Sequence, residues 1–494
     1  MADNEKLFWF MGKPAKITST LFLAVFATTV GSSLLFGYSM AVFNNLEKRV
    51  KCFLMAEACS VFIDQEHQLQ ANAWYAGLTT AYIVLGTVGS FCSGMVSDFF
   101  GRKKALWLNC IVGIIGGSLN IIVWFSNSKV NLFIARLILG LNAGITTGIA
   151  PTFIAEISPT SLRGALTACH QLFITLGIVV AYFFTMKFTL NNDYWVFSAA
   201  LPVIPAVISF CLLPFLPESP RYLFINKDDI ENAKIAFEKY NQIQDPETQL
   251  NEIKKEVEEQ KALPKFRIID LFTSKHYRLA VIISIVLNVM QQFSGINAVI
   301  GYSQNMMLSA KVPLNYLEIC VLLIGIFNCV STIPAVILME ITGRRKLLIY
   351  PSFLLIASLL ICFIMVGIIP PIFKTHTNVW ATISVVAIFL YIIGFAIGLG
   401  PIPGIVVAEI FTQAPRAAAY SLALGIQWFS SFIILLLYPI INDVIPSGYV
   451  FVIFLCFTVP SLTFLVIFMP ETKNRSFAEI AKILAGNKVE NSEA

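Results

Sequence analysis

Twelve apolar stretches recur along this chain of 494 residues, and each is close to the roughly 20 residues that a helix needs to cross a bilayer. Hydrophobic residues make up 57% of the chain and charged residues 13%, a composition too apolar for a soluble protein. The sequence therefore predicts an all-α integral membrane protein with twelve transmembrane helices, numbered here as spans one to twelve. The predicted spans lie at about 20–43, 75–96, 105–125, 132–153, 167–186, 196–216, 279–304, 317–339, 347–369, 380–403, 417–440 and 448–469.

Positively charged residues predict the orientation of these spans. Twelve spans leave both termini on one side of the membrane, and only seven of the 34 Lys and Arg residues fall on the other side. Those seven are Lys48, Arg49, Lys51, Lys129, Lys187, Lys311 and Lys374. Because Lys and Arg collect on the cytoplasmic side of short loops, both termini are predicted to be cytoplasmic.

An internal repeat predicts the domain organisation. Residues 98–104, 155–165 and 217–221 match residues 340–346, 408–418 and 470–472 in the same order. Three ordered matches on one side of the membrane favour two six-span halves that arose by duplication. The predicted parts are a cytoplasmic tail (1–19), a first bundle (20–216), a cytoplasmic helical linker (217–278), a second bundle (279–469) and a cytoplasmic tail (470–494).

Charged residues occupy matching positions in the two halves, all on the predicted cytoplasmic side. They are Asp98, Arg102, Glu156, Arg163, Glu218 and Arg221 in the first half, and Glu340, Arg344, Glu409, Arg416, Glu471 and Arg475 in the second. We interpret them as a gating charge network that holds the inner ends of the bundles together in one state and separates in the other. The alternative is that each set only fixes the topology of its own half.

Polar residues inside span seven mark a candidate ligand site. Asn288, Gln291, Gln292 and Gly295 fall at i, i+3, i+4 and i+7, on one face of a helix. On a straight helix Asn297 would point roughly 140° away from Gln292, but a break at Ser294-Gly295 could bring it round. Amides are neutral and both donate and accept hydrogen bonds, which suits an uncharged polyhydroxylated ligand. The alternative is that they only join helices to each other.

The motifs taken together resemble those of the sugar porter family of the major facilitator superfamily, and most of all the facilitative hexose transporters of animals. They are GRKK (101–104) and GRRK (343–346), Arg136 with glycines at 140, 144 and 148, PESPR (217–221), QQFSGIN (291–297), GPIP (400–403) and PETKNR (470–475). The resemblance covers about residues 20–485. It implies the major facilitator fold, hexose transport by alternating access, and a place in the plasma membrane. The three glycines by themselves predict only close packing of helices.

The same resemblance implies which side chains bind the sugar. It transfers the role of sugar ligand to Gln171 in span five, to Gln291, Gln292 and Asn297 in span seven, and to Asn328 in span eight.

Spans ten and eleven add further candidates from their residue types. In span eleven, Gln427 offers an amide beside the aromatic face of Trp428, on which a sugar ring could stack. Pro401 and Pro403 interrupt span ten, as happens where a transporter helix lines a cavity; a kink of purely structural origin is the alternative.

Departures from the family pattern bear on the choice of sugar. Ala396 stands where glucose-selective members carry an acidic residue, and Gly404 stands where they carry a tryptophan. Gln427 replaces an asparagine, and residues 288–290 differ from the glucose-type Gln-Leu-Ser. The changes imply a larger pocket, so that fructose or mixed hexose use is expected as much as glucose use.

The outer half of span seven also differs from the family pattern. Ile300 and Gly301 replace aromatic residues, which leaves Tyr302 as the expected aromatic of the outer gate.

Span one predicts transport without proton coupling. Proton-coupled relatives carry an aspartate after the FGY motif, whereas Ser39 follows Tyr38 here and no acid lies between Thr18 and Phe43. His170 is the one candidate for a proton relay, and a buried structural histidine is the favoured interpretation. A proton-coupled sugar or polyol symporter and a non-transporting sugar sensor remain the alternatives.

Other functional classes lack support in the sequence. No nucleophile with a base, metal-ligand spacing or phosphate loop indicates an enzyme, so no cofactor or metal is expected. No basic run interleaved with aromatics indicates a nucleic-acid partner. The expected partners are a hexose and the lipid bilayer.

Two features outside the spans complete the predictions. Cys52 and Cys59 lie in a polar outer loop, where a disulfide and two free thiols are both open. The linker contains two amphipathic helices, at 228–240 and 251–263, which would either latch the bundles or remain solvated.

Overall fold

A computed structural model describes residues 17–56, 65–159, 162–186, 194–241, 254, 267–274, 277–369, 377–446, 448–473, 475 and 477–484. Within them, twelve helices are long and apolar enough to cross a membrane, which confirms the predicted number of spans. They are Ser19–Ala41, His67–Phe100, Arg102–Ser126, Lys129–Ile157, Arg163–Phe184, Trp195–Phe215, Arg278–Ser309, Leu314–Met339, Arg344–Ile368, Val379–Ile410, Ala418–Asn442 and Val450–Phe468. Span two is longer than its predicted 75–96, because a helix continues past the apolar window on which the prediction rests.

Large apolar side chains cover the outside of these helices. Phe22, Phe125 and Phe215 are 64%, 79% and 85% exposed, respectively. A soluble protein rarely exposes so much contiguous apolar surface, whereas a helix in a bilayer exposes it to lipid tails. The chain is thus a multi-pass membrane protein.

Several spans are composed of more than one helical segment. Span one consists of helices Ser19–Thr28 and Leu35–Ala41 joined by a π-helical segment, Thr29–Leu34. Span nine likewise consists of Arg344–Cys362 followed by the π-helical segment Phe363–Ile368. Span seven is split into the helices Arg278–Phe293 and Ile296–Ser309. Span ten is split into the helices Thr377–Ile397 and Ile402–Ile410.

The remaining helices are short and lie between or after the spans. They are Glu47–Met55, Pro220–Lys227, Ile230–Asn241, Ile268–Thr273 and Phe477–Leu484. Span six consists of Trp195–Ala200, Val203–Leu212 and the 3-10 turn Leu213–Phe215. Span eleven is part of the longer helix Gln413–Val444.

The chain forms two compact units, which are best described separately. The first contains the described parts of Met1–Ser39, Leu85–Gly177 and Ala199–Leu263, and the second contains those of Met40–Val84, Ile178–Ser198 and Pro264–Ala494. The division at 216 and 279 rests on the sequence repeat and stays a prediction.

The glycines of span four permit close helix packing in the first unit. A Cβ atom on Gly144 would collide with the carbonyl oxygen of Gly86, and one on Gly148 would collide with the side chain of Ser93. Any larger residue would therefore push spans two and four apart. The packing predicted for Gly144 and Gly148 is confirmed.

The first linker helix is anchored to the start of span one. The hydroxyl of Thr18 donates to the carbonyl of Tyr240 (2.8 Å), and the Tyr240 hydroxyl donates to the carbonyl of Pro217 (2.6 Å). Burial, aided by the charge of Glu218, raises the pKa of Tyr240, so the hydroxyl stays protonated and remains a donor. The helix Ile230–Asn241 agrees with the first predicted linker helix; the second, at 251–263, falls outside the described residues apart from Lys254.

The cysteines divide into bonded and free. Cys52 is disulfide-bonded, while Cys59, the other cysteine for which a disulfide and a free thiol were both open, lies outside the described residues. Eight others are free thiols, among them the buried Cys110 and Cys362.

Candidate functional site

Gly295 breaks span seven at the point where the sequence predicts a break. Its backbone is left-handed (φ +95°, ψ 11°), a conformation that glycine adopts at little cost. A Cβ at this position would also meet the ring of Phe454 at 2.5 to 2.9 Å. The carbonyl of neighbouring Ser294 accepts a hydrogen bond from the Tyr391 hydroxyl (3.0 Å), which supports the interrupted backbone from span ten.

The break brings Asn297 back towards the polar stripe. Asn297 Nδ2 donates to Gln292 Oε1 at 2.5 Å, so the predicted turn of this side chain is confirmed. Gln292 Nε2 in turn donates to Gln291 Oε1 at 3.3 Å. All three amides are buried, with exposed fractions of 4 to 7%. Asn288, one turn earlier, donates to the backbone carbonyl of Ser284 on its own helix and to no other described residue.

The same amides are bonded to spans ten and eleven. Gln291 Nε2 donates to the carbonyls of Leu399 (2.8 Å) and Gly400 (3.1 Å), where span ten is interrupted before Pro401. At the other end, Asn297 Nδ2 donates to Ser431 Oγ of span eleven (2.6 Å). We call this series the amide chain: Ser431, Asn297, Gln292, Gln291, and the carbonyls of Leu399 and Gly400.

Ser431 and the two carbonyls are functional candidates that the sequence prediction missed. Ser431 lies one helical turn after Gln427, so the same helical periodicity that singled out Gln427 could have found it. No residue type marks a backbone carbonyl in advance, although the interruption at Pro401 and Pro403 predicted that span ten would have unpaired ones.

Three further predicted sugar ligands lie in the second unit. Asn328 is buried in span eight, and its backbone carbonyl accepts a hydrogen bond from the Thr332 hydroxyl (2.8 Å). In span eleven Trp428 is buried (6% exposed) and Gln427 is half-buried. The hydrogen bonds of the amide chain do not include these three residues in the part of the chain that the structure describes.

Gln171 belongs to the first unit. It is half-buried in span five, next to His170, whose Nδ1 lies 2.7 Å from Ser33 Oγ in the π-helical segment of span one. This hydrogen bond gives His170 a structural partner, as the favoured interpretation of that residue expects.

Tyr302, the predicted outer-gate residue, is fully buried in the second unit. Its hydroxyl lies 3.0 Å from Thr79 Oγ1 and donates to the carbonyl of Leu435 (3.1 Å). Its ring stacks on Tyr438 (4.9 Å between centroids) and meets Tyr75 edge-on (5.8 Å). Its backbone leaves the helical region (φ −137°, ψ 22°), so span seven kinks a second time here.

This second kink is compensated by a side chain of span five and by one from the turn that follows span one. The carbonyl of Ile300 accepts from the Tyr182 hydroxyl (2.7 Å) and from Asn44 Nδ2 (2.9 Å), and Asn44 also donates to Ser303 Oγ. A kink frees a backbone acceptor at membrane depth, which must find another donor. Asn44 and Tyr182 are therefore further candidates for the outer gate that the sequence prediction missed.

Four of the predicted cytoplasmic charges of the first half, Asp98, Arg102, Glu156 and Glu218, lie in one cluster. Glu156 accepts from Arg102 Nε (3.1 Å) and from the Ser219 hydroxyl, and Arg102 also pairs with the exposed Asp98 (3.0 Å). Glu218 accepts from the backbone N–H of Lys103 (2.7 Å), so its carboxylate caps the first turn of span three.

The second half repeats this cluster almost atom for atom. Glu409 accepts from Arg344 Nε (3.1 Å) and from the Thr472 hydroxyl (2.5 Å), and Glu471 accepts from the backbone N–H groups of Arg344 (2.8 Å) and Arg345 (3.2 Å). The repeat inferred from the sequence thus extends to hydrogen bonds. Each of these bonds lies within one half.

A glycine makes room for the capping carboxylate in each half. Gly101 and Gly343 have φ of +97° and +92°, and a Cβ on either would lie 2.6 and 2.7 Å from a carboxylate oxygen of Glu218 and Glu471, respectively. Two reasons therefore require glycine at each position: the positive φ of the backbone and the close approach of the carboxylate oxygen.

The other members of the predicted network differ in their contacts and exposure, and among them Arg221 places a positive charge near Glu156. Arg416 donates to the carbonyl of Phe411 (3.4 Å), and burial lowers the pKa of its guanidinium. Arg163 and Arg221 are half-buried, and Arg475 is exposed. The side chain of Glu340 lies outside what the structure describes.

Comparisons with known proteins agree with this architecture. A model of the family described as "Sugar (and other) transporter" matches residues 24–484. Facilitated glucose transporter member 3 of Canis lupus familiaris is 35% identical over 476 residues, which cover 95% of this chain and 94% of that protein. The Homo sapiens member 3 is 34% identical over 481 residues, covering 95% and 93%.

Solved structures of a bacterial transporter share the fold. The xylose transporter XylE from E. coli, in a partially occluded inward-open conformation, superposes with a TM-score of 0.75 at 23% identity, covering 93% of this chain and all of that one. The same protein, titled a proton:xylose symporter of the major facilitator superfamily and bound to 6-bromo-6-deoxy-D-glucose, gives 0.76 at 22%, covering 94% and 99%. This likeness shows the major facilitator fold.

Proposed function

This chain belongs to the sugar (and other) transporter family, and from that premise we propose that it carries a hexose across the membrane by facilitated diffusion and alternating access. The observation that carries the proposal is the amide chain. It places neutral donors and acceptors, and no charged group, between the interrupted segments of spans seven and ten. Sugar hydroxyls exchange hydrogen bonds with amides without any change of charge.

The substrate that this site favours is fructose or a mixture of hexoses. A Cβ added at Gly404, where glucose-selective relatives carry a tryptophan, would meet no atom of the described residues within 4 Å. Ala396 is buried and adds no polar anchor to span ten. The open space at Gly404 supports a wider pocket, which would accept a furanose or pyranose ring with less discrimination.

Uniport is the transport mode that the residues favour. Span one contains no carboxylate between Thr18 and Phe43, so the proton acceptor of proton-coupled relatives has no counterpart there. The relatives that are 34 to 35% identical are named facilitated transporters. Proton-coupled symport, the second candidate function, would depend on His170 as the proton relay, whereas the hydrogen bond of His170 to Ser33 agrees with a structural role.

The ligand set and the gates are part of the same proposal. Gln171, Asn328, Gln427 and Trp428 would join the amide chain in binding sugar. Tyr302 with its tyrosine partners would close the outer end of span seven. The twelve cytoplasmic charges would control the inner gate, and they would do so through the Arg102–Glu156 and Arg344–Glu409 pairs.

The distribution of positive charge supports an orientation of the chain in the membrane, and the family resemblance supports its location. The excess of Lys and Arg in alternate loops supports cytoplasmic termini. The plasma membrane is the expected location, because the family resemblance implies it.

Flux into liposomes tests the proposal. Purified protein is reconstituted and given radiolabelled D-glucose, D-fructose, D-xylose or a hexitol, with and without an imposed pH gradient. We expect saturable hexose entry that equilibrates without accumulation and ignores the pH gradient. Absence of hexose flux would refute the proposal; accumulation driven by the pH gradient would establish symport instead, and hexitol flux alone would establish a polyol transporter.

A matched pair of variants links the flux to the site. Gln291→Leu removes the donor to Leu399 and Gly400, and we expect hexose flux at subsaturating sugar to fall about tenfold or more. Asn288→Leu removes a buried amide from the same stripe, and among the described residues this amide is bonded to its own helix alone. Its flux should remain within about threefold of the unmodified protein. Equal losses in the two variants would contradict the assignment of the site.

A further inference from the structure

Ser431 is the end of the amide chain, and it is bonded to one of the proposed ligands. The Ser431 hydroxyl is 2.6 Å from Asn297 Nδ2, and both side chains are buried, Ser431 at 4% exposure and Asn297 at 7%. The neighbouring Ser430 is equally buried (3%), yet it has no bond to the amide chain in the described residues. The two adjacent serines therefore differ in one respect that can be tested.

The geometry fixes the orientation of the Asn297 amide. An asparagine amide has two N–H donors, and here one is given to Gln292 Oε1 and the other to Ser431 Oγ. With both donors engaged, the amide plane cannot rotate, and Oδ1 is held in one direction. Within the described residues Oδ1 accepts no hydrogen bond, so it is the acceptor that the amide chain offers to a ligand.

Without the Ser431 hydroxyl, the Asn297 amide would be held at one end only. Gln292 would remain as its single partner, and the side chain could rotate or exchange its oxygen with its nitrogen. A sugar hydroxyl that donates to Oδ1 would then pay for ordering this side chain on binding.

We propose that Ser431 is a positioning residue for sugar binding, which acts through Asn297 by holding the Asn297 carbonyl oxygen ready to accept from a sugar hydroxyl. This inference rests on the proposed hexose transport and adds a specificity-determining group that contacts Asn297. The ligand that it recognises is a hexose with a hydroxyl donor at the ring position facing Asn297.

The test compares three single variants in liposomes, using the hexose that the unmodified protein transports best. Ser431→Ala should raise KM about fivefold, the effect of one neutral hydrogen bond, with the maximal rate within about twofold. Ser431→Thr keeps the hydroxyl and should restore KM to within about twofold, while Ser430→Ala should leave KM unchanged. Equal KM values for Ser431→Ala and the unmodified protein would overturn the inference.

A double-mutant cycle separates positioning from general packing. Sugar affinity is measured on purified protein as the sugar-dependent rise in apparent melting temperature. If Ser431 acts through Asn297, Ser431→Ala should cost about fivefold in affinity in the unmodified background and nothing further in the Asn297→Ala background. Additive losses would show that Ser431 acts by another route and would overturn the inference.

The same experiments distinguish this inference from the proposed function. Failure of the unmodified protein to transport or bind any hexose would refute both. Hexose transport that Ser431→Ala leaves unaltered in KM would refute the positioning role alone.

Discussion

Replacing Gly295 by alanine should damage the candidate site more than any other single methyl group in span seven. Gly295 has φ +95°, where an alanine costs about 1 kcal/mol more than glycine. The added Cβ would also meet the Phe454 ring at 2.5 to 2.9 Å. Such overpacking costs about 1–3 kcal/mol. Together the two effects predict a loss of about 2–4 kcal/mol.

The loss can be followed in two assays. The apparent melting temperature of the detergent-purified protein should fall by about 2–4 °C, because 1 kcal/mol corresponds to about 1 °C in a chain of 494 residues. Hexose KM should also rise, because the turn that brings Asn297 to Gln292 depends on the backbone at Gly295. Gly301→Ala is the matched control, since among the described residues its Cβ would meet one Leu435 methyl group, at 3.3 Å.

A second substitution separates the two contributions. Phe454→Leu in the Gly295→Ala background should relieve the steric part, so that alanine costs only about 1 kcal/mol relative to Phe454→Leu alone. Melting temperatures and KM values that are the same for Gly295→Ala and Gly301→Ala would refute the reasoning.

Three other substitutions follow from the structure. Glu409→Gln should reduce hexose flux at least about tenfold, because it leaves the Arg344 guanidinium without its charged partner; the same change at Glu156 should have a similar effect, and flux equal to the unmodified protein in both would contradict a gating role. Gly404→Trp should lower fructose flux about tenfold while reducing glucose flux less, because the indole would fill open space; competition between labelled sugars measures the ratio, and an unchanged ratio would contradict it. Tyr302→Phe should lower the apparent melting temperature by a few degrees, because the hydrogen bonds to Thr79 and Leu435 are lost. Tyr302→Ala should lower it further, because the stacked ring is also removed. Equal melting temperatures of these two variants in fluorescence-monitored unfolding would show that the ring contributes nothing.

The sequence was sufficient to predict the spans and the break in span seven. Both depend on short-range physics, since an apolar run of bilayer length must be helical and a glycine beside a serine permits a kink. The prediction that Asn297 turns towards Gln292 is confirmed for the same reason: the two residues are only five positions apart, and the break alone decides their orientation.

The partners of the amides could not be predicted in the same way. Whether Gln291 reaches the carbonyl of Leu399, or Asn297 reaches Ser431, depends on how three helices that are far apart in the sequence pack against each other. The roles of Asn44 and Tyr182 likewise depend on a carbonyl that is freed only by the kink at Tyr302. Residue types indicate which side chains can form hydrogen bonds, whereas tertiary packing determines which groups become their partners.

The capping carboxylates have a consequence for the construction of chimeric transporters. Span three begins at Arg102, but its cap, Glu218, together with the Ser219 hydroxyl on Glu156, lies beyond the end of span six at Phe215. With a fusion junction at residue 216, Glu218 and Ser219 would come from a different parent protein than the bundle that they stabilise. A junction after the helix that ends at Lys227 would keep them, and the second half would need to extend through Thr472 for the same reason. The exchangeable module is thus each bundle together with the short segment that follows it.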